Sequence, residues 1–403
     1  MHTHRTSRVL VLACLSIAAA CADGGKETRP QSEVKLTASH HMFGFRSLAG
    51  FGTFPVPATA VTTDRGQLNL FDDSSYTIAR TSGTSAADRY ALETDGALSI
   101  FVTGSGSEPS VLFRGGYSLA GVNPTTADYQ FTDRVSTTNS PSIGLFYGTR
   151  VVTGQVELEG GWHLLSLHTI FGQTILSPEN VGRGVHGGVS VGAGAAGTLR
   201  TVSGTGTQGT STQGTSAVTF GGSIQNLLDG SSTGDGSCNL TVAYNGDSRV
   251  MFAAASDNVV YGLDADETDG EAGILFLVRK FDAPATPVDS VRVPGSFLVG
   301  GHTLFVNPSN PGSDAFTGVV TLTAQGGFRL DGVGNSGADF AYSGSYVLAA
   351  DGHLTVTISG TNETWFAAID RSYQTLLFVD DFIELRSNNT PELNIGLGVR
   401  RKT

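Results

Sequence analysis

Tyr346-Val-Leu-Ala-Ala-Asp351-Gly352-His-Leu354-Thr-Val356-Thr-Ile-Ser359 is the stretch from which the fold can be read. From His353 to Ser359 polar and apolar residues alternate with period two, the pattern of a strand with one buried face. Asp351-Gly352 just before it is a hairpin signal, because a tight turn between antiparallel strands needs residues that tolerate positive φ. The same arrangement occurs at Tyr90-Ala-Leu-Glu-Thr-Asp95-Gly96-Ala-Leu98-Ser-Ile100. A degenerate copy stands at Asp235-Gly236-Ser-Cys-Asn-Leu240-Thr-Val242. Three copies at wide spacing indicate an internal repeat.

Further out, each copy closes on a similar strand: Ile143-Gly144-Leu145, Ala272-Gly273-Ile274 and Ile395-Gly396-Leu397. These glycines lie 129 and 123 residues apart (273 − 144 and 396 − 273). The closing strands end in Arg150, Arg279-Lys280 and Arg400-Arg401-Lys402. The opening strands also match, Gly161-Trp162 through His168-Thr-Ile-Phe171 against Gly295-Ser through His302-Thr-Leu-Phe305. Ile274-Leu-Phe-Leu-Val278 and Leu376-Leu-Phe-Val379 are continuous apolar runs, expected to be buried on both faces. No segment after residue 40 sustains the i, i+3, i+4 stripe of a helix.

The expected fold is therefore all-β: three tandem meander repeats at 41–152, 153–283 and 290–403. Short turns and about eight strands per copy suit small up-and-down barrels or sandwiches. A single propeller-like ring is the alternative. Residues 182–236, which contain Gly204-Thr-Gly-Thr-Gln-Gly-Thr-Ser-Thr-Gln-Gly-Thr215, read as a Gly/Thr-rich loop inserted into the second copy. A membrane-spanning barrel is disfavoured, since such strands need roughly ten residues with aromatic girdles.

Composition limits the function classes. The chain has 403 residues, 54 of them glycine, and a formal net charge of −12. An acidic surface argues against nucleic acid as a partner, and 39% hydrophobic content can supply a core. The first 20 residues have the three parts of a secretory signal, with Arg5 and Arg8 before the apolar run Val9–Ala20. That run is too short to cross a bilayer as a helix. Ala18-Ala-Ala-Cys21 resembles the lipobox of bacterial lipoproteins, although Ala18 stands where that pattern most often has Leu. The resemblance implies acylation of Cys21, a flexible tether over 21–40, anchoring in a membrane, and the outer membrane as location.

Motifs with chemical potential are sparse. Gly192-Ala-Gly194-Ala-Ala-Gly197 and Gly230-Ser-Ser232-Thr-Gly234 fit a dinucleotide fingerprint and a nucleophile elbow in letters only, because neither precedes a helix. Asp264, Asp266, Asp269 and Glu271 form the densest oxygen-ligand cluster, a weak calcium candidate with its glycine one residue late. His40, His41, His163, His168 and His302 lack metal-ligand spacing. Asp72-Asp73 and Asp380-Asp381 read as surface charge, Cys238 as a small buried residue, and Trp162 and Trp365 as core. No catalytic set, metal or cofactor is nominated. The sequence points to a lipid-anchored cell-envelope protein with a non-catalytic binding, adhesion or structural role toward an unknown protein, glycan or small-molecule ligand. A secreted or envelope hydrolase acting on a polymer through acidic residues is the alternative.

Overall fold

In the computed structural model His353–Ile358 is a strand whose even-numbered residues Leu354, Val356 and Ile358 are buried. The structure describes residues 32–48, 60–81, 86–103, 109–119, 128–133, 142–170, 182–195, 197–210, 214–228, 234–265, 270–306, 312–334, 337–361, 363–380 and 392–402. Cys21 lies outside them. Every strand is antiparallel to its neighbours, and the sheets close as three eight-stranded barrels, each from one consecutive segment.

Barrel 1 runs β1 (Ala38–Leu48), β2 (Val61–Leu70), β3 (Ser75–Arg80), β4 (Ala86–Leu92), β5 (Ala97–Thr103), β6 (Pro109–Tyr117), β7 (Asp128–Asp133) and β8 (Ser142–Thr149). Barrel 2 runs β9 (Gly160–Ile170), β10 (Gly182–Val191), β11 (Arg200–Thr210), β12 (Gly214–Leu228), β13 (Gly234–Tyr244), β14 (Asp247–Ala255), β15 (Val259–Asp264) and β16 (Glu271–Arg279). Barrel 3 runs β17 (Gly295–Phe305), β18 (Gly312–Leu322), β19 (Gly327–Gly334), β20 (Asp339–Leu348), β21 (His353–Ile358), β22 (Thr364–Ile369), β23 (Thr375–Asp380) and β24 (Glu392–Arg400).

The Gly/Thr-rich loop expected over 182–236 is corrected: most of it is β10, β11 and β12. The alternation is present but written in glycine rather than in apolar residues. Val202, Gly204 and Gly206 turn inward and Thr201, Ser203 and Thr205 outward. A Cβ at Gly206 would stand 2.1 Å from the His186 carbonyl and 2.8 Å from the Phe220 ring. Glycine is thus what lets Phe220 fill this part of the barrel. The tether expected over 21–40 is also shortened. Ser32 and Val34 bond to Leu92 of β4, and Val34 and Leu36 pack on the core of barrel 1.

The linkers cap the other two barrels in the same way. Val156 and Leu158 lie in the core of barrel 2, and Phe281 and Val293 in that of barrel 3. Each barrel is therefore covered at the end where its first strand begins. The opposite end of each barrel is its mouth.

A fourth core lies between the barrels. It gathers Phe45 and Tyr147 of barrel 1, Tyr261, Ile274 and Phe276 of barrel 2, and Phe366, Leu377 and Ile395 of barrel 3. These residues point outward from their own barrels, which is why β23, and β16 as far as Val278, are buried on both faces. Mostly the first and eighth strands of each barrel, with the seventh strands of barrels 2 and 3, supply this hub.

Strand register aligns the repeats. His40 bridges Arg150, Trp162 pairs with Arg279 and Phe297 with Arg400. Arg279 and Arg400 lie over those aromatic partners at 4.6 and 4.7 Å. By this register Gly144 and Gly273 are equivalent, but Asn394 holds the third position and Gly396 lies two residues on. His168 and His302 are one residue out of step, and a one-residue slip reverses a side chain's face. His168 points into barrel 2, beside Tyr244. His302 points into the seam with barrel 1, against Phe45 and Ser47.

The Asp-Gly turns are where barrels meet. His41 and His163, equivalent by register, contact the next barrel's turn, with ring nitrogens 2.7 Å from the Asp235 carbonyl and 3.1 Å from that of Asp351. Leu298 holds the third equivalent position and faces Gly96, whose neighbour Asp95 accepts from the Lys402 amide at 3.0 Å. Contacts run from barrel 1 to 2, 2 to 3, and 3 back to 1.

Candidate functional site

The three mouths differ in what fills them. In barrel 1, Arg46 on β1, Asp64 on β2 and Arg80 on β3 converge, with Arg80 3.0 Å from Asp64 and Arg46 over the Phe146 ring at 5.1 Å. Desolvation raises the Asp64 carboxyl, against the pull of Arg80.

Barrel 2 builds a larger plug around Glu271 at the start of β16. Arg183 on β10 approaches Glu271 at 2.9 and 3.0 Å, and Arg249 on β14 at 2.8 Å. His168 Nδ1 lies 3.3 Å from the same carboxylate, and its Nε2 3.2 Å from the Tyr244 hydroxyl. Burial, then the charges of Arg183 and Arg249, hold His168 well below the usual histidine range, so it is neutral. Gly273 leaves the room this needs, since a Cβ there would meet His168 Nδ1 at 2.4 Å.

This plug bears on the calcium candidate. Glu271 is committed to two guanidinium groups, which repel a cation. Asp264 is buried on β15, and Asp266 and Asp269 lie outside the described residues. Among the described residues no three His, Cys, Asp or Glu gather as metal ligands.

Among the described residues barrel 3 has neither plug. By register Thr303 replaces His168, Asp314 replaces Arg183, Glu363 replaces Arg249, and Glu392 matches Glu271. What remains is a cavity of about 110 Å³ lined by Thr303, Asp314, Glu392 and Asn394 on the polar side. Phe316, Phe340, Tyr342 and Trp365 form its aromatic side. Phe316 and Phe340 meet edge to face at 5.6 Å, as do Tyr342 and Trp365 at the same distance. The Trp365 indole donates to Glu363 at 2.6 Å and stacks on Phe378 at 5.3 Å, which fixes the cavity wall. Glycines seat these rings: a Cβ at Gly301 would come within 2.2 Å of Phe316, and one at Gly332 within 2.4 Å of Phe340.

Two other openings lie on the outside. A groove of about 600 Å³ separates Arg114 and Gly115 of barrel 1 from Leu298, Val319 and Val333 of barrel 3. A cleft of about 350 Å³ between barrels 1 and 2 includes His41, Arg65 and Cys238. Cys238 is buried and donates to Asn226 Oδ1 at 3.3 Å. Burial pushes its thiol up to about 12, so it is no nucleophile.

Of the residues singled out in the sequence, Trp162 and Trp365 are both buried, but Trp365 also walls the cavity. Asp73 is an exposed turn residue bonded to Ser75. Asp380 is buried rather than on the surface, a correction that follows from its place on the inward face of β23 with Leu376 and Phe378, paired with Trp365. Asp128 and Asp370, which sequence reading did not mark, converge in the seam between barrels 1 and 3. Thr375 donates to Asp128 at 2.6 Å. Burial, reinforced by Asp370, raises Asp128 to about 6. Both are fully buried, so no polymer reaches them.

No protein-family model and no curated protein matches the chain. Among solved structures, a double mutant of the vaccine antigen transferrin binding protein B from Haemophilus parasuis Hp5 is similar at 9% identity and a TM-score of 0.30. The alignment covers 93% of this chain and 77% of that one. An intact transferrin binding protein B with N and C lobes gives 9% and 0.29, over 93% and 79%. A protein of unknown function from Nostoc punctiforme gives 10% and 0.21, over 60% and 96%. Scores of this size carry nothing about partner or activity.

Proposed function

We propose that this chain is a lipid-anchored cell-envelope protein with a non-catalytic binding role, and that the mouth of barrel 3 receives the ligand. One observation carries the reading. Barrels 1 and 2 fill their mouths with arginine–carboxylate plugs, whereas barrel 3 keeps a cavity with aromatic walls and a few polar groups. That combination is the usual make-up of a small-molecule site. The hydrolase alternative needs convergent carboxylates that a polymer can reach: the pair between barrels is sealed in the seam, and Asp314 and Glu392 line a cavity of only about 110 Å³, too small for a polymer segment.

The test has two arms. Replacing Cys21 with Ser should move the protein from the membrane fraction to the soluble one and abolish acyl labelling; an unlabelled wild type removes the anchor. For binding, Trp162→Phe leaves Trp365 as the sole tryptophan, and its emission should respond saturably to a small organic probe. Silence toward cationic, neutral and anionic probes alike would remove barrel 3 as the receiving mouth.

A further inference from the structure

Arg65 faces away from barrel 1, since Leu68 and Leu70 hold the inward positions of the same strand, β2. Phe252 on β14 faces away from barrel 2, between the core residues Met251 and Ala253. The two meet across the cleft of about 350 Å³ between these barrels, with the guanidinium carbon 3.3 Å from the ring centroid. At that separation the planes lie face to face, because an edge-on guanidinium would drive its hydrogens into the ring. Arg80, Arg183 and Arg200 each have a carboxylate at 2.9–3.0 Å. Arg65 is half-buried as well, yet among the described residues its guanidinium meets the Phe252 ring and no oxygen. Stacking covers the face of a guanidinium and leaves free its N–H edge, a fork that matches a carboxylate.

A second observation describes the rest of the ligand. Leu227 and Phe252 line the cleft and are 38% and 37% exposed, and Val250 continues the same face of β14 at 62%. Large apolar side chains left this open beside polar ones mark a contact surface. The polar neighbours are Gln67, Thr81 and Ser237. Asp235 is the acid among the described lining residues, and its Oδ1 is turned onto the Ser237 amide at 2.8 Å. A space of about 350 Å³ holds ~12 heavy atoms at the ~30 Å³ that each water occupies in the liquid.

We infer that the cleft between barrels 1 and 2 binds a small free monocarboxylate with an aromatic or alkyl body. The carboxylate meets the N–H edge of Arg65, and the body lies against Leu227 and the open edge of Phe252. The ring already holds the arginine in place, so little side-chain freedom is lost on binding. This site is separate from the mouth of barrel 3, and its failure leaves that reading untouched.

The experiment is a calorimetric titration of the whole chain with three probes of one shape. They are 3-phenylpropionate as the anion, 3-phenylpropionamide as the neutral and 3-phenylpropylamine as the cation. The acid should bind at least roughly tenfold tighter than either of the others. Its affinity should fall with added salt while that of the amide does not, a check that needs no variant. Arg65→Gln, confirmed folded by thermal melting, should bring the acid down to the level of the amide. Phe252→Leu, which removes the platform and keeps the charge, should weaken the acid several-fold. Arg329→Gln, at an exposed arginine of barrel 3, should leave the acid unchanged. Equal affinity for acid and amide, or no measurable binding of the acid, overturns the inference. So does an acid affinity that Arg65→Gln or Phe252→Leu leaves intact, or one that Arg329→Gln lowers as far as Arg65→Gln does.

Discussion

Glu271 is the residue whose loss should cost barrel 2 most. Its carboxylate sits 2.8–3.0 Å from Arg183 and Arg249, whose side chains are only 11% and 8% exposed. Two unit charges 4 Å apart attract by about 4 kcal/mol at an effective dielectric of 20. Two such attractions are lost in Glu271→Gln, and the arginines then repel each other across the vacated charge. Against this stands the desolvation that the carboxylate no longer undergoes, several kcal/mol in the folded state. The net expectation is a destabilisation of about 3–5 kcal/mol, the range measured when one partner of a buried pair is removed. Urea unfolding followed by tryptophan emission reads this as a lower midpoint at unchanged slope. The triple change Glu271→Leu, Arg183→Met, Arg249→Met removes all three charges and should recover most of the loss. A Glu271→Gln protein within about 1 kcal/mol of wild type would mean that water reaches the cluster, and the idea of a sealed plug would fall.

Other expectations follow from the same geometry. His302 is fully buried, and burial alone lowers it to about 3, against 6.5 in an unfolded chain. Unfolded protein then binds the extra proton as pH falls below 6.5, so the stability of the fold falls on acidification by up to about 1.4 kcal/mol per pH unit. His302→Gln should flatten the stability profile between pH 6.5 and 5 by that slope; parallel profiles would refute the assignment. At Gly396 an added Cβ would stand 2.1 Å from the Phe378 ring, so Gly396→Val should cost about 1–3 kcal/mol in a melt. Leu354 is fully buried in the barrel 3 core, and its change to Ala should cost about 2–5 kcal/mol. Deleting 204–215 removes most of β11, and should yield protein without a cooperative transition; a near-native melting curve would restore the loop reading.

The barrels were legible because their strands carry period-two burial and their turns carry Asp-Gly. The hub was half legible, since runs such as Ile274–Val278 announce two buried faces without saying what covers the second. Gly204–Thr215 misled because the inward positions 204 and 206 are glycines, which hydropathy cannot distinguish from loop. The histidine match failed by one register step, a displacement invisible without pairing data. The mouth of barrel 3 was not legible at all. Asp314, Trp365 and Glu392 come from three strands spread over the last repeat, and only closure brings them together. Its signal, arginine exchanged for acid, emerges once the strands of two barrels are aligned pair by pair.

The contact between Arg401 and Asp95, at 2.8 Å and 306 positions apart in sequence, has a kinetic side. Each barrel can close alone by joining its own first and last strands. The circuit of barrels cannot, because its final link joins the last residues to a turn in the first quarter of the chain. Until that link forms, apolar faces on completed barrels stand bare, and such surfaces are what aggregate. Bringing ends together over so long a span is entropically costly and slow. Once made, the clasp works in reverse. Opening any one barrel also strips cover from its two neighbours, so unfolding should begin at the tail and proceed slowly, giving a lifetime longer than the equilibrium stability alone implies.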